Sequence, residues 1–210
     1  RADGSSMVGD DHTWGIFLSI SGEWNVLKEP FMHTLKGIST LKLRMGYGQS
    51  GNLGGISAYT TMDNVQQTGI VPVNNTPTVT LGAIRNNNPD LKWETKSTFN
   101  IGGEIGLWHN RLMLTAEYYY SKTTDMLYAY DVPVPPFVYD KLLANIGSML
   151  NQGFEIGFSI APIQTRDVDL NVNLNLSFQK NKLLSLSGQY KGMEMSAAPI
   201  TAMGSVDGAG

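Results

Sequence analysis

Hydrophobic and polar residues alternate along most of this chain with a period of two, the pattern of β-strands with two unlike faces. The clearest run is Val168–Gln179. Val168, Leu170, Val172, Leu174, Leu176 and Phe178 share one face, and Asp169, Asn171, Asn173, Asn175, Ser177 and Gln179 share the other. A run this long in one phase exceeds the roughly 5–6 residues of a soluble strand and suits the roughly 9–11 of a tilted, membrane-crossing one. The same alternation recurs in Leu41–Gly48, Phe99–Leu107, Arg111–Ser121 and Gly153–Ala161. It recurs also through Trp14, Ile16, Leu18 and Ile20, where Phe17 blurs the phase. The pattern predicts strands over residues 13–25, 40–50, 93–107, 111–124, 149–162 and 167–183, with almost no helical periodicity.

The connections sort by length. Lys28–Ser39, His109-Asn110 and Gln164–Arg166 are short, whereas Gly51–Lys92, Asp125–Ser148 and everything from Leu184 onward are long. Short and long alternate along the chain, as in antiparallel barrels that cross an outer membrane with tight turns on one side and long loops on the other. A soluble sandwich has no reason to sort its loops this way. The polar face carries Gly, Asn (Asn173 among them) and Ser, with isolated charges at Arg44, Glu104, Glu117 and Glu155, which suits a wet lumen or a polar filling. Trp24 and Trp108 fall beside short turns, and Trp14, Tyr47 and Tyr120 toward the long loops, as two interfacial girdles would require.

Composition agrees with this reading. Charged residues make up 16% of the 210, against about a quarter in ordinary globular domains. The near-neutral mean hydropathy averages a lipid-facing row with a lumen row. A net charge of −3 gives no reason to expect nucleic acid as a partner. The absence of cysteine excludes disulfides, thiolate zinc sites and thiol catalysis. No apolar run approaches the roughly 18 residues of a membrane helix, and Arg1-Ala2-Asp3-Gly4 has no leader pattern. Six strands cannot close a barrel whose smallest members have about eight. At about 35 residues per strand, a 22-stranded transporter barrel would need about 770 residues. The fold class expected is therefore all-β: about six strands of a larger transmembrane barrel. Residues 1–210 form part of a single barrel domain, with plug and remaining strands outside them.

Four stretches resemble the SusC/RagA family of TonB-dependent outer-membrane proteins from Bacteroidetes. Arg1-Ala2-Asp3-Gly4-Ser5-Ser6 resembles that family's R-x-D-G-S-S motif, and Leu41–Asn52 its L-K-L-R-x-S-Y-G-x-x-G-N segment, with Gly46 where Ser is usual. Asn88–Glu94 resembles its N-P-D-L-K-W-E motif, and Asn145–Met149 with Asn151, Gly153 and Glu155 its N-I-G-x-M-x-N-x-G-x-E stretch. The resemblance implies a plug inside a 22-stranded barrel in the outer membrane of a Gram-negative bacterium. It implies uptake of oligosaccharides or peptides, force from TonB acting through an N-terminal part, and a SusD-like lipoprotein lid.

Candidate substrate contacts belong to the long loops, because a rigid scaffold leaves recognition to them. Gly51–Lys92 carries Tyr59 and Asn86-Asn87-Asn88 (Asn87 the candidate), and Asp125–Ser148 carries Tyr128, Tyr130, Phe137 and Tyr139 among prolines. Aromatic faces with amides suit sugars or peptide backbone; packing between loops or against a lid is the plainer alternative. Asn88–Glu94 reads as structural. His12, His33 and His109 are scattered in loop or turn positions, and Asp10-Asp11 lacks a calcium-loop pattern, so neither metal nor cofactor is expected. Neither a nucleophile elbow nor a metal-hydrolase motif is present, so no enzyme is expected. A secreted all-β carbohydrate-binding or adhesion module, with the same strands in a sandwich, is the competing reading.

Overall fold

The computed structural model describes residues 1–32 and 37–196, which leaves His33 outside the described residues. In chain order the strands are β1 (Ala2–Gly4), β2 (Trp14–Ile16), β3 (Ser19–Asn25), β4 (Ile38–Asn52), β5 (Val65–Val73), β6 (Thr76–Ala83), β7 (Glu94–Leu107), β8 (Leu112–Asp131), β9 (Lys141–Gln164), β10 (Asp169–Ser185), β11 (Ser187–Tyr190) and β12 (Met193–Ser196). Helical structure among the described residues is limited to three single 3-10 turns, Asp10–His12, Val26–Lys28 and Pro30–Met32.

Six strands form one antiparallel sheet in the order β10-β9-β8-β7-β4-β3, with β3 and β10 as open edges. The register lines up whole rows of side chains, because residues paired across strands share a face. One row reads Gly22, Met45, Ile101, Tyr118, Phe154, Phe178; the next reads Trp24, Leu43, Gly103, Ala116, Ile156, Leu176. A third reads Leu41, Ile105, Leu114, Phe158, Leu174. The band between Tyr120 and Leu112 spans eight residues, about 27 Å along a strand and about 20 Å in height at a 40° tilt. No second sheet covers this face among the described residues, and most of its large apolar side chains stand exposed. The strands that a sandwich would divide between two layers all lie in one.

The predicted first strand is broken. Phe17 leaves the alternation, turns inward to 5% exposure and packs edge-on against Trp93 at 5.7 Å. Its ring also lies over Gly51, where a Cβ would come within 2.1 Å of it. The tight β7–β8 turn is as expected, with Trp108, His109 and Asn110 all at positive φ.

The long connections contain more structure than alternation revealed. Asp125–Ser148 is largely strand: β8 runs on to Asp131 and β9 begins at Lys141, which leaves only Val132–Asp140 as loop. A double bulge lies between Thr123 and Leu127, with Asp125 at φ 56, and the hairpin above it forms a crown on the sheet. Both faces of the crown are covered. Tyr130, Val132, Leu142 and Ala144 pack with Met195 of β12 on one side. Leu127 and Leu143 pack with Val8, Ile56 and Leu91 on the other. The region from Leu184 onward, expected as loop, therefore carries a folded hairpin, β11–β12. The stretch Gly51–Lys92 likewise carries the β5–β6 hairpin, turned by Asn74-Asn75 with both residues at positive φ.

Candidate functional site: the polar face and the crown

The five charged or amide residues expected to share a face do so. Arg44, Glu104, Glu117, Glu155 and Asn173 all lie on the side of the sheet opposite the apolar rows. One cross-strand row reads Glu23, Arg44, Gly102, Glu117, Glu155, Ser177. Arg44 donates from Nη2 to Glu117 Oε2 at 2.8 Å, and Gly102 between them leaves the span open. Glu155 stands directly opposite Glu117 and draws no cation of its own from the described residues. Lys42 approaches Glu23 at 3.6 Å rather than Glu104, its register partner. These pairs are partly solvated, so each contributes at most about 1 kcal/mol. Small residues floor a trough of about 580 Å³ beside them, lined by Ser21, Arg44, Gly46, Asn100, Gly102 and Glu117 among others. A face of this kind can hold water or receive another polar surface at close range.

Above the sheet, three of the four family-like segments, Leu41–Asn52, Asn88–Glu94 and the stretch from Asn145, meet in space, joined by residues that follow the first. Glu94 accepts the Leu127 amide freed by the β8 bulge (2.7 Å) and the Asn52 side-chain amide (2.7 Å). Asn145 donates to the carbonyls of Asp125 and Lys92 (both 2.8 Å) and accepts the Lys92 amide (3.0 Å), while Lys92 Nζ pairs with Asp125 at 2.6 Å. The Gly9 amide donates to Leu91 (2.8 Å), and the Trp93 indole to the His12 carbonyl (3.1 Å). Asn86 and Asn88 bond the backbone of Tyr139, Lys141 and Leu143 along the edge of β9 that β10 leaves free. These side chains protect an edge that would otherwise template further pairing.

The residues named as substrate contacts separate accordingly. Tyr59 is exposed at φ 62, and Asn87 is half-buried. Tyr139 is exposed at the loop end, but its hydroxyl donates to the Ala83 carbonyl at 2.6 Å and so steadies the base of the β5–β6 hairpin. Tyr128 is half-buried on β8 and meets Tyr130 edge-on at 5.3 Å. Tyr130 is corrected: it lies on a strand rather than a loop and is fully buried, so it is a packing residue without a face to offer a ligand. What alternation missed was the crown itself, whose phase is broken by the bulge and whose two faces are both apolar.

The Tyr130 hydroxyl has no hydrogen-bond partner among the described residues. Burial, reinforced by Tyr128, raises its pKa above the ordinary phenol value. The neutral phenol therefore contributes its full stability below pH about 10, and that contribution is lost as pH rises through the folded-state value. Tyr130→Phe in the intact protein should match or exceed wild-type stability by up to about 1 kcal/mol at neutral pH and flatten the alkaline decline. Chemical denaturation in detergent at pH 7 and above pH 10 reads both, and a clear destabilisation at pH 7 would show that the hydroxyl is bonded.

The profile of the family described as "TonB dependent receptor-like, beta-barrel" matches residues 6–203. The chain belongs to this family. It is 35% identical to TonB-dependent receptor P26 of Formosa agariphila over 90% of its length, and 32% identical to TonB-dependent receptor SusC of Bacteroides thetaiotaomicron over 90%. It covers 19% of each of those proteins. Among solved structures, the RagAB peptide transporter superposes with a TM-score of 0.76 at 26% identity, across 91% of this chain and 20% of that one. The chain thus spans about a fifth of the length of the relatives it matches. Its six-stranded sheet is a segment of their kind of barrel.

Proposed function

We propose that this chain forms wall and outer rim of an outer-membrane nutrient importer. The importer takes up oligosaccharides or peptides with force supplied through TonB, beneath a SusD-like surface lipoprotein. The observation that carries the reading is the single-layered sheet: one face is a bare apolar band of membrane height, the other a polar face with a trough. Lipid against the band makes that exposure stable, since apolar area left in water costs about 25 cal/mol per Å². In this reading the polar face looks into the lumen, where Glu155 and the Arg44–Glu117 pair meet a plug. Transport is then gating of a filled pore rather than covalent chemistry, in keeping with relatives that are receptors and transporters.

The rim supplies recognition. Tyr59 and Asn87 are the residues best placed to touch a sugar or a peptide backbone, with Tyr128 and Tyr139 behind them as supports. The likeness to a peptide transporter supports the peptide branch. Expressed from its complete reading frame in a Gram-negative host, the protein should fractionate with the outer membrane and require detergent for extraction. A full-length protein that is freely soluble without detergent would favour the secreted binding or adhesion module instead.

A further inference from the structure

The apolar face of the sheet ends in lysine on the side of the long loops. On β10 the alternation runs from Leu176 and Phe178 on to Lys180 and Lys182, and on β8 from Tyr118 and Tyr120 to Lys122. Register brings the three together. The row above Tyr118 reads Tyr47, Phe99, Tyr120, Gln152, Lys180, and the next reads Gln49, Ser97, Lys122, Leu150, Lys182. Lys180 and Lys182 therefore stand about 7 Å apart along one strand, and Lys122 about 10 Å from Lys182 with only Leu150 between them. All three are exposed.

Nothing in the described sheet answers their charge. None of the three enters an ion pair with a described residue. No carboxylate stands on this face in any paired row from Leu112 up to Lys122. The polar neighbours are occupied with one another: Gln49 donates to Ser97 at 3.3 Å, and the Tyr118 hydroxyl donates to Gln152 at 3.3 Å. The other end of the band differs, since its last row, Leu107, Leu112, Ile160 and Val172, holds no cation. Three cations thus gather at one border of an apolar face, in a chain whose net charge is −3. Charge on a lipid-facing position is tolerated at the interface and costly at the bilayer centre. A lysine manages the border by laying its stem on apolar surface and holding its head in the polar layer.

We propose that Lys122, Lys180 and Lys182 form a binding site for the phosphate of a lipid headgroup in the outer leaflet; the inference rests on the outer-membrane reading above. The aromatic row Tyr47, Phe99, Tyr120 marks the headgroup level, and the lysines stand at that level and one row beyond it. Acyl chains lying against Tyr118, Phe154 and Phe178 hold the headgroup beside the ammonium groups, which raises its effective concentration there. An ammonium binds phosphate as a compact point charge without a fixed fork geometry, so flexible stems from two strands can converge on one anion. A second copy of this chain is the poorer occupant. Meeting face to face across a twofold axis, it would set lysine against lysine. A soluble protein seated on the lysines would leave most of the band below them bare.

The test uses the full-length barrel in non-ionic detergent, titrated with lipid A, with dephosphorylated lipid A and with inorganic phosphate. Native mass spectrometry reads what stays bound. Lys122→Gln, Lys180→Gln and Lys182→Gln together remove the charge and keep the stems. Lys42→Gln with Lys96→Gln makes the same change on the polar face, where Lys96 lies opposite Thr123 and so close to the same height. The expected result is at least about tenfold weaker binding of lipid A by the triple variant, with the polar-face pair behaving as wild type. Arginine at the three positions should restore binding, and dephosphorylated lipid A should not distinguish wild type from the triple variant. Should the triple glutamine variant fail to insert, Lys122→Gln and Lys180→Gln singly carry the comparison, each with about a fivefold loss. Equal binding of lipid A by wild type and the glutamine variants, or no loss on dephosphorylation, overturns the site and leaves the importer reading standing. Inorganic phosphate bound as tightly as lipid A overturns the lipid as occupant. A full-length protein soluble without detergent overturns both the site and the reading beneath it.

Discussion

Asn88→Leu should loosen the crown by about 3 kcal/mol or more, because one side chain of 2% exposure satisfies three separate segments. Its Nδ2 donates to the Leu143 carbonyl at 2.7 Å on the free edge of β9. Its Oδ1 accepts the Asp90 amide and the Tyr190 hydroxyl, both at 2.9 Å. Leucine fills a similar volume and makes none of these bonds, which leaves a carbonyl, an amide and a phenol without partners in a region closed to water. Each buried orphan costs about 1–3 kcal/mol, with the sum reduced by whatever water re-enters. Tyr190→Phe removes a single bond and should cost about 1 kcal/mol. Added to Asn88→Leu it should cost almost nothing further, since the shared bond is already gone. Hydrogen exchange of residues 139–145 and 187–196 in the intact, detergent-solubilised protein reads the effect directly. Unchanged protection there would remove Asn88 from its central position.

The wall was legible in the sequence and the crown was not, and the reason is environmental. Between Leu112 and Thr123 every second residue lies on the bare apolar face, so alternation shows through in spite of Met113 and Tyr119 on the other side, and the strand is found where the pattern put it. From Asp125 onward the same two strands are covered on both faces, by Met195 on one and by Leu91 and Ile56 on the other. Leu127 beside Tyr128, and Leu142 beside Leu143, then carry no period at all. The bulge at Asp125 shifts the phase besides. The β5–β6 hairpin escaped for a related reason: its bulge inverts the alternation midway. Its turn was nonetheless present in the chain, since Asn74-Asn75 between two β-prone runs is the chemistry of a type I′ hairpin. The shared face of Arg44, Glu104, Glu117, Glu155 and Asn173 follows from parity alone. That Arg44 bonds Glu117 and not Glu104 depends on inter-strand register, which parity does not specify. Amides in the asparagine run that looked available to a sugar are spent on backbone instead, as Asn86 and Asn88 show.

Gly9→Ala is expected to have the second large effect, and it bears on what holds the Asn88–Glu94 segment in place. Gly9 has an extended backbone that any residue adopts, so conformational freedom is not what it supplies. It supplies closeness: a Cβ there would lie 1.9 Å from the Pro89 carbonyl oxygen and 3.1 Å from its carbon. The obstacle is backbone on both sides, so no rotamer change relieves it. Relief requires the two segments to separate by about 1 Å or more, a strain of the overpacking kind that costs about 1–3 kcal/mol. Separation breaks the 2.8 Å bond from the Gly9 amide to Leu91 and withdraws Val8 from its contact with Leu91 and Ile56. With the loss of that packing the total reaches about 3–5 kcal/mol. The expected signature is local: exchange protection falls at residues 6–16 and 88–93, while the wall strands from Leu112 to Thr123 keep theirs. Gly22→Ala is the matched control, since a Cβ at Gly22 meets nothing within 4 Å, and it should leave protection unchanged. A Gly9→Ala protein with wild-type protection at both segments would show that the N-terminal stretch is not clamped to the segment around Pro89. The Asn88–Glu94 motif would then have to be explained other than as a clamp on the N-terminal stretch.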